Sequence, residues 1–167
     1  MLDVQIASLD EQAPASVEHM IICPPRGGLK ARQRALCGTL ADGEIPESAA
    51  SDPNSDDVRL VEFDDEPRDR GARVAALWKP DRATALLLFS PNPAYTRQLV
   101  LGLFQAAYQV KGVTQSAPLT ILVSGEGHLA AAAEGRTLGR NVLMARELAN
   151  EPSNIKNPTW LAHQVQE

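Results

Sequence analysis

Apolar residues along this chain fall into short runs and helical stripes separated by polar, proline-rich or glycine-rich punctuation. Leu2, Val4 and Ile6 alternate with polar neighbours, which predicts a half-buried strand ending near Leu9. Val17 to Cys23 reads as a second strand, closed by Pro24-Pro25 and Gly27-Gly28. A helix follows over Leu29 to Leu40, with Leu29, Leu36 and Leu40 on one face and Lys30, Arg32 and Arg34 in water. Residues 42–57 then break the pattern. Asp, Glu, Ser, Pro and Ala dominate there, and Ile45 is nearly the sole large apolar residue, so burial cannot offset the entropy of ordering. The expectation is a mobile acidic loop.

Val58, Leu60, Val61 and Phe63 resume a strand. Asp64-Asp65-Glu66-Pro67 has the acidic residues and early proline of a helix start, and Val74, Leu77 and Trp78 follow at helical spacing before Lys79-Pro80. Gly71 weakens that helix, and a strand over Arg73 to Trp78 is the competing reading. Leu86-Leu87-Leu88-Phe89 is short and continuously apolar, as a strand buried on both faces requires. Tyr95 to Val110 predicts a helix with Leu99, Leu103, Ala106, Ala107 and Val110 inward. Leu119 to Val123 is another buried strand. The longest helix runs from Gly127 or His128 to Asn150, its inward residues expected to include Leu129, Leu138, Val142, Leu143, Ala145 and Leu148. Strands alternating with helices give an α/β domain with a mostly buried sheet. Because the early strands neighbour each other in sequence, the sheet is expected to be mixed.

The helix stops at Asn150-Glu151-Pro152, since proline disfavours helical geometry in the residue before it and lacks an amide hydrogen. Asn150, Ser153 and Asn154 suit turns. Asn157-Pro158 then reads as an N-cap followed by the first residue of a new helix carrying Trp160, Leu161 and Val165. Residues 1–150 are thus expected to form one domain, with 151–167 a hinge and the first helix of whatever follows.

At 167 residues with 44 % hydrophobic content, the chain can bury a sizeable core, and aromatics at 4 % leave that core to Leu, Val, Ile and Ala. The net charge of −5, without a Lys/Arg cluster, argues against nucleic acid as a partner. No apolar run reaches the roughly 20 residues of a membrane span, and the first residues lack a secretory signal pattern. Cys23 and Cys37 are too few for a disulfide framework and read as reduced thiols.

Ala145-Arg146-Glu147-Leu148-Ala149-Asn150-Glu151-Pro152-Ser153-Asn154, followed by Asn157-Pro158-Thr159-Trp160, resembles the interdomain hinge of the leucine (cytosol) aminopeptidase family. Upstream, Gly102-Leu103-Phe104-Gln105-Ala106-Ala107-Tyr108-Gln109-Val110-Lys111 resembles a helix of the same family. The resemblance covers about residues 95–167 and is only topological before them. It implies a three-layer α/β/α, macro-domain-like N-terminal domain in a cytoplasmic hexamer. It also implies a separate C-terminal catalytic domain, in which two divalent ions (Zn or Mn) remove N-terminal residues from peptides. The family's N-T-D-A-E-G-R metal motif is absent from this sequence.

Candidate chemistry within the chain is sparse. Asp52, Asp56 and Asp57 sit in the acidic loop, where ligands lack the fixed geometry that an oxygen-coordinated cation needs. His19, His128 and His163 have no second His or Cys at metal-ligand spacing. Cys37 reads as a small core residue, and Ser90, Ser116 and Ser124 lack a nucleophile elbow. Ser124-Gly125-Glu126-Gly127 joins a strand to a helix, and its glycines raise the rival reading of a stand-alone nucleotide or ADP-ribose module. Glu126 would oppose an anion there, so turn geometry is the simpler account. Gly135 and Gly139 are expected to permit close packing against the sheet. No catalytic, cofactor-binding or metal-binding residue is assigned to this chain.

Overall fold

The computed structural model describes residues 4–8, 19–26, 58–78, 82–108 and 118–166. They form strands β1 (Val4–Ser8), β2 (His19–Cys23), β3 (Val58–Leu60), β4 (Thr84–Leu88) and β5 (Leu119–Val123). The helices are α1 (Pro67–Leu77), α2 (Pro93–Ala106), α3 (Glu126–Asn150) and α4 (Pro158–Gln166). The expected helix over 29–40 and the acidic loop at 42–57 lie outside the described residues.

The strands make a sheet in the order β1-β5-β4-β2-β3, and every pairing among the described residues is parallel. The fold is therefore α/β as expected, but among the described residues the sheet is parallel rather than mixed. Proximity in sequence misled that expectation: β5 and β4 lie between β1 and β2, so the two early strands never pair. The parallel neighbours β4 and β5 are joined through the crossover helix α2, while α1 carries the chain from β3 past β2 to β4.

Ile21, Cys23, Leu86, Leu88, Leu119, Ile121 and Val123 share one core with Val74, Leu99, Leu103, Phe104 and Ala132 from the helices. Met20, Ile22, Ala85, Leu87 and Leu122, at the alternate strand positions, are buried as well. Burial at both sets of positions explains why these strands are continuously apolar. The helical layer seen here is α1, α2 and α3, with α2 packed between the other two.

α1 settles the competing readings of residues 73–78 in favour of a helix. Its N-terminus uses Pro67 at the first turn, and the Glu66 amide donates to Asp64 Oδ1 at 3.0 Å. Gly71, which weakened the helix by propensity, is where α1 touches α2: a Cβ there would lie 2.1 Å from the Leu99 carbonyl oxygen. Gly102 is its counterpart on α2, where a Cβ would lie 2.3 Å from the Arg68 carbonyl oxygen. Two backbones in contact exclude any side chain between them.

α3 departs from expectation in which face it buries. Ala131, Ala132, Gly135 and Gly139 are its buried residues, whereas Leu138 is 40 % exposed and Ala145 is exposed. Leu129 and Leu143 pack on the core as expected. Small residues form the contact because α3 lies close against α2: a Cβ on Gly139 would meet Phe104 Cγ at 2.5 Å, and one on Gly135 the Arg97 carbonyl oxygen at 2.7 Å. The glycine pair thus fits α3 to α2 rather than to the sheet. On α2, Leu99 and Leu103 are buried but Ala106 is exposed; Ala107, just past its end, is half-buried, and Val110 lies outside the described residues. Among the described residues no helix is long and apolar enough to cross a membrane.

Candidate functional site

Open parallel sheets bind ligands at the carboxyl ends of their strands, where connections diverge to opposite sides. Here β2 leads to β3 on one side and β4 leads to β5 on the other. Around this edge lie two polar clusters. In the first, Arg70 of α1 is completely buried, and its Nη2 donates to the Pro24 carbonyl at 2.6 Å and the Val61 carbonyl at 2.9 Å. Its guanidinium lies 5.3 Å from the Phe63 ring centroid, and Phe63 stacks on Tyr95 at 5.5 Å. The Tyr95 hydroxyl donates to the Asp64 carbonyl; Arg73 pairs with Asp64 and Arg26 with Asp65.

These contacts tie the ends of β2 and β3 to α1 and α2. Burial pushes the Cys23 thiol up to about 12, outweighing the opposing pull of Arg70 and Arg73. At neutral pH it is a protonated core group, not a thiolate nucleophile. The Glu66 amide, and after it Arg73, holds the Asp64 carboxyl below its usual range. Burial raises the Tyr95 phenol, so it stays a donor.

The second cluster joins the β4 and β5 ends. His128 Nδ1 lies 3.1 Å from Ser90 Oγ and 2.8 Å from Thr96 Oγ1, and the two hydroxyls contact each other. A serine nucleophile needs a base whose other ring nitrogen is oriented by a third group. Here serine and threonine converge on the same nitrogen, an arrangement that tethers the start of α3 to the start of α2. Sequence reasoning treated Ser90 and His128 separately, and no spacing signal joins residues 38 positions apart.

The 124–127 turn is built by Gly125, whose φ of +90° favours glycine. Its carbonyl accepts from the His128 and Leu129 amides, each at 3.1 Å. Those two amides are consequently engaged within the chain. Among the described residues, no group of three or more His, Cys, Asp or Glu side chains could hold a metal. His19 begins β2 and His163 lies on α4, apart from His128 at the start of α3. Cys37, Asp52, Asp56, Asp57 and Ser116 lie outside the described residues.

The hinge is the most fully specified local structure. Glu151, before Pro152, leaves the helix in an extended conformation. The Ile155 amide donates to the Pro152 carbonyl at 3.0 Å, and Lys156 Nζ caps the Ala149 carbonyl at 2.6 Å. Asn157 Oδ1 accepts from the Trp160 amide at 2.8 Å, the expected N-cap of α4. Back on α3, Arg146 Nη1 donates to the Gln105 carbonyl at 2.7 Å and lies over the Tyr108 ring, while Asn150 Nδ2 donates to the Tyr108 hydroxyl at 2.9 Å. Residues 102–108 and 146–150, within the two segments singled out in the sequence, therefore grip each other.

Beyond that grip the chain is loosely covered. Ile155 is 40 % exposed, Leu161 is 51 % exposed and Trp160 is half-buried. Trp160→Ala is expected to change the unfolding free energy of the domain by no more than about 0.5 kcal/mol, the range of a surface substitution. It should also reduce any self-association seen by sedimentation. A loss of several kcal/mol in a denaturant titration, as for emptying a core site, would place α4 inside this domain.

No family model matches the chain. Over 114 residues it is 32 % identical to a probable cytosol aminopeptidase of Syntrophotalea carbinolica, a match that covers 58 % of this chain and 23 % of that protein. The chain thus spans about a quarter of the length of the curated relative it resembles.

Proposed function

We propose that this chain is the N-terminal, non-catalytic domain of a cytosol-aminopeptidase-type exopeptidase, with a macro-like, three-layer architecture. The observation that carries the reading is the 32 % identity to a probable cytosol aminopeptidase. Support comes from the hinge: the residues that resemble the family's signature are those that join α2, α3 and the turn before α4. In this reading the peptide bond is cleaved elsewhere, in a C-terminal catalytic domain holding two divalent ions, Zn or Mn. The described residues offer no donor set for such ions, and no step of the reaction is assigned to them.

The domain's role is structural. It would carry the hinge at a fixed angle, contribute to assembly of a hexamer in the cytoplasm, and shape access to the active sites. Its partners are the catalytic domain and other copies of itself, not nucleic acid or membrane. The purified 167-residue chain is expected to leave leucyl-anilide intact in the presence of Mn or Zn. It should also show no stoichiometric tight binding of either ion by calorimetry. Chelator-sensitive hydrolysis proportional to protein concentration would overturn the assignment of chemistry to another domain.

A further inference from the structure

We draw no further inference here: the strongest candidate, the Arg70 guanidinium buried at the carboxyl ends of β2 and β3 with Nε and Nη1 unpaired, offers no route for a ligand, because those two nitrogens have essentially no accessible surface.

Discussion

Gly102→Ala is expected to destabilise the domain by about 3 kcal/mol or more, at or above the upper end of ordinary overpacking. The added methyl would sit 2.3 Å from the Arg68 carbonyl oxygen and 2.6 Å from Arg68 Cα. Both are backbone atoms of the facing helix, so no rotamer change relieves the clash and α1 must shift bodily. Moving α1 would disturb Val74 in the core and the Arg70 contacts at the strand ends. Alanine's better helix propensity, worth up to about 1 kcal/mol, is too small to compensate. Gly127→Ala is the matched control. Its nearest foreign atom, Pro93 Cγ, would lie at 3.5 Å, an ordinary contact, and stability should be unchanged or slightly improved. Urea titrations of the two variants check both statements; equal midpoints would mean that α1 and α2 do not meet through these glycines.

Removing Arg70 should produce the second large effect, with a size that depends on what replaces it. Its two hydrogen bonds to the Pro24 and Val61 carbonyls are charge-assisted, each worth about 1.5–3 kcal/mol. Against them stands the cost of burying a guanidinium whose Nε and Nη1 have no partner. Arg70→Met keeps most of the volume and removes the buried charge but leaves the buried Val61 carbonyl without its donor, so a net loss of about 1–2 kcal/mol is expected. Arg70→Ala loses the packing too and should cost about 2–4 kcal/mol. Denaturant midpoints compared at equal slope would reveal the order. If methionine proves as damaging as alanine, the hydrogen bonds and not the filled volume hold the strand ends to α1.

Much of the scaffold was legible because single local causes produced it. The continuous apolar runs around Leu86 and Ile121 mark strands buried on both faces, and Asp64 to Pro67 marks a helix start. Asn157 and Pro158 mark another, with the cap found where residue chemistry places it. Strand order was not legible, since nothing in β1 or β2 encodes which strands will lie between them. The buried face of α3 was misread because large apolar residues usually point inward, whereas here Gly135 and Gly139 let α3 come so close to α2 that Leu138 is turned outward. Arg70 carried no signal at all: between Asp69 and Gly71 a basic residue reads as solvated. Only the carbonyls at the ends of two adjacent strands, β2 and β3, make it a core residue. The pairing of residues 102–108 with 146–150 was hidden for the same reason, although the resemblance had singled out both segments.

The central claim, that this domain supports an aminopeptidase without performing its chemistry, is tested most directly by a domain exchange. The region of the Syntrophotalea carbinolica protein that matches this chain would be replaced by it, joined within the hinge after Asn157. Leucyl-anilide hydrolysis by the chimaera would then be measured alongside its assembly state. The account predicts a folded, assembled chimaera that retains metal-dependent hydrolysis within about tenfold of the parent, or about 1.4 kcal/mol in transition-state terms. A chimaera whose two parts both fold but which neither assembles nor hydrolyses the substrate would contradict it.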